Sequence, residues 1–563
     1  MTAGIPHGMR QACLSLLIAV LVPLAVRGED RSYDGSGNNL GNPTLGQVGT
    51  HFMRVAPADY GDGISTPAGS TRPGAREISN IVADQGGASM PNTANLSTWV
   101  FQWGQFIDHD LTLTTLATPV EMMNIPIPAG DAIFDPGNTG TATMPFRRSV
   151  YDSSTGLGPG NPREQFNSIS SYLDASAVYG SDQARADALR TMSGGRMKTS
   201  AGDLLPFNTD NLPNDDNGDP NRSAYYVAGD VRANEQTGLT AVHTLFVREH
   251  NRLADQLSVD NPTWTDEQIY QQARRLVGAQ IQSITYREFL PALLGSDSPG
   301  IASTYSSSVD PSVSNEFAAS LYRVGHTMLP PELARVQNDG TTAPGGNVAL
   351  RDAFFQQGNL PTSDDLEYML KGLASQMQQQ VDSHIVDDVR NFLFGAPFPG
   401  AGFDLAALNI QRGRDHGLPD YNTLRVAYGL DPVIDFSDIT ANLSLAEALE
   451  LAYGDVNNID AWVGALAEDH LGDSCVGPLV EAALIDQFTR TRDGDRFWFT
   501  RDENISAEEL AWLETVRLSD IIRLNTGITN LQANVFLIPE PSTLVLAAIG
   551  LGVMALWRRR RRR

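Results

Sequence analysis

The helix-period segments that follow residue 93 constrain this chain more than any other feature. "LTAVHTLFVREHNRLADQL" (239–257), "TDEQIYQQARRLVGAQIQSITYREFLPALL" (265–294), "DDLEYMLKGLASQMQQQV" (364–381) and "SLAEALELAYG" (444–454) repeat apolar residues at three- and four-residue intervals, and strand-like alternation is scarce. The spacing predicts a mainly α fold with little β structure. With 563 residues, 41% of them hydrophobic, the chain can bury a large core, and nothing between residues 90 and 530 marks a domain boundary. Residues 29–90, rich in Gly, Pro, Ser and Asn, read as an extended segment wrapped over that core and tethered by residues such as Phe52, Val55 and Tyr60. Two more stretches of this composition, 117–162 and 203–223, read as loops.

Both ends read as address signals. Residues 1–28 join a basic start to an apolar run that stops at Gly28, the pattern of a cleaved secretory signal peptide. The last 26 residues, "IPEPSTLVLAAIGLGVMALWRRRRRR" (538–563), set Pro539, Glu540 and Pro541 before an apolar run over 543–557 and six arginines. That run is short but, with its flanks, sufficient for a transmembrane segment whose basic end stays cytoplasmic. The whole tail resembles the PEP-CTERM sorting signal of Gram-negative bacteria, which implies processing by an exosortase-type enzyme and release or attachment at the cell surface or outer envelope. An ordinary tail anchor is the alternative. Setting both ends aside removes eight of 40 basic residues and one of 66 acidic ones, leaving a body of about −33. So acidic a surface argues against nucleic acid and anionic lipid as partners, and contact with a membrane is expected only through the tail. Cys13 leaves with the signal peptide, so Cys475 can form no internal disulfide and reads as a small buried residue.

The apolar stretch "TWVFQWGQFIDHDLTLT" (98–114) carries the amide of Gln105, the imidazole of His109 and the carboxylates of Asp108 and Asp110 close together. On a helix Gln105, Asp108 and His109 share a face while Asp110 points elsewhere, and such groups need partners if they are buried. Candidates stand in three places. In "GDVRANEQTGL", Arg232 and Glu235 are three apart; in "LYRVGHTMLP", Arg323 and His326 repeat the spacing; in "LAALNIQRGRDHGLPDYN", Asn409 can bond a histidine nitrogen and set its tautomer. Each alone is weak, because such pairs are usually surface ion pairs. No zinc-type Cys/His spacing, nucleophile elbow, Walker loop or dinucleotide fingerprint competes with them.

The combination resembles the animal-type haem peroxidases, the family of myeloperoxidase, lactoperoxidase and peroxidasin. The likeness runs over 33–537, through "NPTLG", "WGQFIDHDLTLT", "YLDASAVYGS", "HTLFVREHNRLA", "ITYREFLPALLG", "YRVGHTMLP", "LNIQRGRDHGLPDYN", "RDGDRFWF" and "NTGIT" in the family's order. It implies a large single-domain fold with haem b buried between central helices. His109 matches the histidine that takes a proton from hydrogen peroxide and returns it to the leaving oxygen, Arg232 the arginine that stabilises charge as the O–O bond breaks, and Gln105 the amide that orders water or halide. His326 matches the iron ligand, Asn409 its hydrogen-bond partner and Arg323 a neighbour on the haem propionate side. Asp108 and Glu235 match carboxylates that become esters to the haem, which implies a covalently held cofactor. Gln236 stands where myeloperoxidase has methionine, so the resemblance does not extend to that enzyme's sulfonium link or to the chloride oxidation that accompanies it. Asp110 matches a calcium ligand, completed by Ser170, Tyr172, Asp174 and Ser176 from "SSYLDAS"; an all-oxygen set suits calcium. His243, His250 and His416 lie in family-like motifs but outside the expected pocket and read as structural.

The implied activity is that of an exported peroxidase acting on small anions (bromide, iodide, thiocyanate) or phenolic donors. Two alternatives come from other classes. A cyclooxygenase-like fatty-acid dioxygenase needs a tyrosine three residues before the iron ligand; Arg323 stands there, and the adjacent Tyr322 is expected to face elsewhere on a helix. A catalytically idle surface or matrix adhesion protein is the other, and the intact His109, Arg232 and His326 set speaks against it.

Overall fold

The structure is a computed structural model and describes residues 28–395 and 402–539, so the leader and the apolar tail run expected at 543–557 lie outside it. The described residues are mainly helical, as the sequence periodicity predicts. Five helices position the site: α1 (Trp99–Leu111), α2 (Thr237–Asp260), α3 (Asp266–Ile284), α4 (Leu405–Asp415) and α5 (Pro478–Asp493). Two antiparallel ribbons, Ile125–Pro126 with Thr143–Met144 and Glu332–Leu333 with Val348–Ala349, are the two-stranded sheets among the described residues.

Local chemistry explains where the helices start and stop. At the head of α3, Thr265 and Gln268 form a reciprocal capping box, and Asp266 and Glu267 place negative charge in the first turn, where the helix dipole favours it. Past Ile284 the chain widens into a π turn over Thr285–Phe289 before Leu290–Leu294, and Gly295 ends the run at φ 60°. The turn brings Thr285 Oγ1 to Trp103 Nε1 at 3.1 Å, which satisfies a buried indole N–H. The helix expected over 364–381 stops at Ser375. Met377 and Gln379 are instead bridged to Ser97 and Pro91, so the backbone groups that would extend the helix serve a neighbouring segment.

The core lies where α1 crosses α2. Trp99, Trp103 and Phe106 are fully buried, and the rings of Phe106 and Phe246 stack 5.3 Å apart with their planes 13° from parallel. Each such side chain contributes roughly 1.5–3 kcal/mol of burial, so α1 is held firmly while its other face carries polar groups. Cys475 is buried too, and burial pushes its thiol up to about 11, leaving it unreactive at neutral pH.

The N-terminal segment lies along the body through backbone pairing and ion pairs. Phe52 N–H donates to Gln165 O (3.0 Å), Met53 N–H to Val313 O (2.9 Å), and Arg31 meets Asp495 at 2.8 Å. Within the stretch read as extended chain, Ala75–Val82 forms a helix, and its Arg76 is buried between Asp131 (2.8 Å) and Asp404 (2.6 Å). Its apolar residues Ala75, Ile78, Ile81 and Val82 keep helical spacing, but eight residues in a Gly- and Pro-rich stretch are too short a run to single out, and the partners of Arg76 lie far along the chain. Among the described residues no helix is long and apolar enough to cross a membrane.

Candidate functional site

A cavity of about 780 Å³ opens between α1, the head of α2, the 3₁₀ turn Leu321–Thr327 and α4. Its wall is largely apolar, with Phe101, Phe146, Phe289, Phe354 and Phe403 among the lining residues. All eight polar residues singled out from the sequence for the haem pocket line it together: Gln105, Asp108, His109, Arg232, Glu235, Arg323, His326 and Asn409. A large apolar cavity with a few converging polar groups is the form of a cofactor or ligand site.

One group of these residues comes from α1 and the turn before α2. His109 is 4% exposed; its Nδ1 lies 3.5 Å from Asp230 Oδ1 and its Nε2 3.6 Å from Glu235 Oε2. Burial and the Arg232 charge hold His109 well below the usual imidazole range, so it is neutral and able to accept a proton. Arg232 grips Asp230 in a fork, Nε to Oδ1 and Nη2 to Oδ2 both at 2.9 Å, and Nη2 also donates to Thr112 O at 2.7 Å. Its Nη1 faces Asp108 Oδ2 at 3.7 Å. Burial alone would raise Asp230, but Arg232 and His109 outweigh it and hold the carboxylate below its usual range. Glu235 has no such grip, and burial pushes it up to about 7; Asp108 is raised by burial as well, against the pull of Arg232 and Arg323.

The second group centres on His326. Its Nδ1 lies 3.1 Å from Asn409 Oδ1 and 2.9 Å from Asn409 Nδ2, while Arg323 Nη1 donates to the same Oδ1 at 3.4 Å. With Nδ1 engaged, Nε2 is the nitrogen left for a metal, in the tautomer that donates from Nδ1 to Asn409 Oδ1. Burial and Arg323 push His326 down to about 3, so the ring stays neutral, the form that coordinates. Arg323 is lowered to about 10 by burial and by Arg412, another cation lining the cavity. Tyr322, expected to face away, lines the cavity as well: the turn is 3₁₀ rather than α, which redirects successive side chains. Its ring stacks on Phe317 at 4.4 Å and its buried hydroxyl has no hydrogen-bond partner.

On the far side of α1, Asp110 meets the loop before the short helix Ser176–Tyr179. Its carboxylate accepts the N–H groups of Asp174 (3.1 Å), Ala175 (3.0 Å) and Ala177 (2.8 Å) and the Ser176 hydroxyl (3.0 Å), while Ser170 Oγ donates to Asp174 Oδ2 at 2.7 Å. The Tyr172 phenol donates to Leu45 O at 2.9 Å, which leaves only its backbone oxygen for the loop. Asp110 and Asp174 are both raised by burial, and Asp110 further by the Asp174 charge. Among the described residues no three His, Cys, Asp or Glu side chains converge on a metal position. The donor set is two carboxylates with hydroxyl and carbonyl oxygens, which fits calcium better than a softer ion.

His250 and His416 are satisfied outside the cavity, the first by Tyr179 (2.9 Å) and Gly195 O (2.8 Å), the second by Asn315 (2.6 Å) and Ser149 (2.8 Å). His243 packs edge-on to Phe106 in the core. The sequence reading missed Asp230 and Arg412. The signal for Asp230 was its position two residues before Arg232, which lets one aspartate bond both the backbone N–H (2.8 Å) and the guanidinium of that residue. Arg412 sits in a charge-rich "QRGRDHG" run that reads as an ordinary helix end.

Residues 30–536 match the family model for animal haem peroxidase, and residues 537–562 match that for the PEP-CTERM protein-sorting motif. Peroxinectin A of Dictyostelium discoideum is 37% identical over 534 residues, 92% of this chain and 98% of that protein. The solved structure of peroxidase A from the same organism superposes with a TM-score of 0.84 at 36% identity, covering 91% of this chain and all of that one. A fatty acid alpha-dioxygenase of Arabidopsis thaliana shares the fold, with a TM-score of 0.75 at 20% identity over 92% of this chain and 86% of that one. A neutral imidazole free at Nε2, the Asp108 and Glu235 carboxylates and several arginines, Arg323 and Arg412 among them, around one apolar cavity suit an iron porphyrin with its acid side chains. The chain belongs to the animal haem peroxidase family and is a haem-dependent peroxidase.

Proposed function

We propose that the protein is an exported peroxidase that uses hydrogen peroxide to oxidise small anions such as bromide, iodide and thiocyanate, or phenolic donors. The observation that carries this reading is that neutral His109, charge-fixed Arg232 and Asn409-bonded His326 line one cavity. Haem, when bound, supplies the iron that accepts oxidising equivalents from peroxide. His326 Nε2 would ligate that iron, with Asn409 raising the basicity of the ring. Arg323 and Arg412 would hold the acidic side chains of the porphyrin, and Asp108 and Glu235 would form the ester links. Both carboxylates are raised by burial, so the cavity favours their neutral form.

His109 would take the peroxide proton at Nε2. Its Nδ1 faces Asp230, which steadies the resulting imidazolium as a buried carboxylate does in other acid–base pairs. Arg232 is fixed by two bonds to Asp230 and one to Thr112, so its charge needs no rearrangement to stabilise the leaving oxygen. Calcium between Asp110 and the 170–176 loop would relieve the two raised carboxylates and anchor α1 next to His109. The tail motif supports export to the cell envelope through an exosortase-type enzyme.

A second reading, oxygenation of a fatty acid, draws on one observation, the unpartnered Tyr322 phenol in an apolar cavity. Peroxide consumption with thiocyanate, iodide or a phenol, run beside oxygen uptake with linoleate, separates the two. Turnover of the anions or phenol without linoleate-dependent oxygen uptake is the expected result; the reverse transfers the assignment to the dioxygenase. A matrix-adhesion role is tested with His326→Ala, which abolishes turnover and leaves any scaffold-based adhesion intact.

A further inference from the structure

Three amides, two of them buried, meet where α1 passes the head of α2. Gln236, 2% exposed, is the N-cap of α2, and its Oε1 accepts the backbone N–H of Gly238 at 2.7 Å. A backbone N–H can only donate, so this bond fixes which end of the Gln236 amide is oxygen. The Gln236 Nε2 therefore points the other way, and it donates both to Gln102 Oε1 and to Gln105 Oε1, the latter at 3.1 Å. Gln102, fully buried, completes the triangle by donating from Nε2 to Gln105 Oε1 at 3.3 Å.

The consequence falls on Gln105, the only one of the three whose side chain is not fully buried. Its carbonyl oxygen receives two donors from inside the protein, and among the described residues no acceptor takes a bond from its Nε2. Turning the Gln105 amide over would set its NH₂ against the NH₂ groups of Gln102 and Gln236 and forfeit both bonds. The packing admits no slack: a Cβ on Gly238 would collide with Gln102 Oε1 and come within 3.1 Å of Gln236 Oε1.

We propose that Gln236 and Gln102 are positioning residues that hold the Gln105 amide with its NH₂ group toward the cavity, and so select small hydrogen-bond-accepting anions as ligands and donors. The proposal rests on the reading of the cavity as a haem site. The direction of the amide is set at one remove, by the first turn of α2, and propagates through two side chains before it reaches a ligand. An acceptor at position 236 reverses the relay. A glutamate there still takes the Gly238 N–H, but its second oxygen demands a donor, which turns Gln102 and then Gln105 over and presents a carbonyl to the cavity.

The test is fluoride titration of the haem-loaded, ferric full-length protein at constant pH, followed at the Soret band, in a double-mutant cycle. Gln105→Leu is expected to weaken fluoride by about tenfold or more, the loss of a hydrogen bond to an anion. Gln236→Glu is expected to weaken it as much, and Gln105→Leu/Gln236→Glu no further than Gln105→Leu alone. Non-additivity separates positioning from simple charge repulsion, because the glutamate charge would act equally in both backgrounds. Gln236→Met and Gln102→Leu, which add no charge, are expected to weaken fluoride to a lesser degree and supply the cycle should the glutamate variant not fold. Wild-type affinity in Gln236→Glu or in Gln105→Leu, or an equal loss in both backgrounds, overturns the proposal. A wild-type protein with no Soret band signals instead that the underlying haem reading has failed.

Discussion

His109 and Arg232 owe their properties to a residue that touches neither peroxide nor porphyrin in this account. Asp230, whose side chain is 2% exposed, neutralises the guanidinium and stands 3.5 Å from His109 Nδ1. Removing it leaves a buried cation without its hydrogen-bonded carboxylate, with Asp108 at 3.7 Å as the remaining ion-pair partner. Asp230→Ala is therefore expected to destabilise the protein by about 3–5 kcal/mol in urea unfolding, and to slow turnover at tenfold or more through a freed Arg232. Unchanged stability would mean that Arg232 finds another partner. At this scale the site was legible in the sequence wherever a residue type is rare in its setting, as with a histidine and two acids inside an apolar helix. It was not legible for Asp230 or for the Gln102 and Gln236 amides, because aspartates before turns and glutamines on helices are common and only the packing shows them to be buried.

At the scale of elements, the π turn after α3 carries a group with a clear pH signature. Glu288 accepts the Leu518 N–H at 2.8 Å through Oε2, its Oε1 has no partner, and burial pushes it up to about 7. A carboxyl raised on folding contributes stability that is complete below its unfolded pKa, about 4.3, and lost as the pH climbs through 7. Glu288→Gln keeps an acceptor for Leu518 and cannot ionise. It should match the wild type at pH 4 and exceed it at pH 8 by roughly 3–4 kcal/mol; equal stability at both pH values would show that Glu288 is solvated. Close approach of elements gives a second expectation. A Cβ on Gly372 would strike the Ala334 carbonyl, so Gly372→Ala should cost about 1–3 kcal/mol in chemical denaturation. The helices around these positions were legible from their 3.6-residue period. The early stop of the helix at Ser375 was not, since it depends on pairing with residues 91–97, nearly 300 positions away.

For the whole molecule, Cys475 is the one cysteine among the described residues and is free, so packing and ion pairs hold the fold, and the proposed calcium would add to them. Calcium at Asp110 and Asp174 would bind only the folded state and so raise its stability by mass action, about 2.7 kcal/mol at a hundredfold excess over Kd. Chelation is expected to lower the Tm and added calcium to restore it, with the response lost in Asp110→Asn. A Tm indifferent to chelator would remove calcium from the account. The acidic body was legible from composition alone, and the helical class from the spacing of apolar residues. The small helix over Ala75–Val82 was hidden because eight residues at helical spacing are too short a run to stand out of a Gly- and Pro-rich stretch, and the cavity-facing Tyr322 because a 3₁₀ turn departs from the 3.6-residue period.

The most direct test is the absorption spectrum of the haem-loaded protein before and after acid–acetone extraction that follows turnover with peroxide, taken for wild type and for Asp108→Asn/Glu235→Gln. A Soret band that survives extraction in the wild type and is stripped from the double variant is the predicted result. A well-folded wild-type protein that shows no Soret band contradicts the assignment of this cavity to haem.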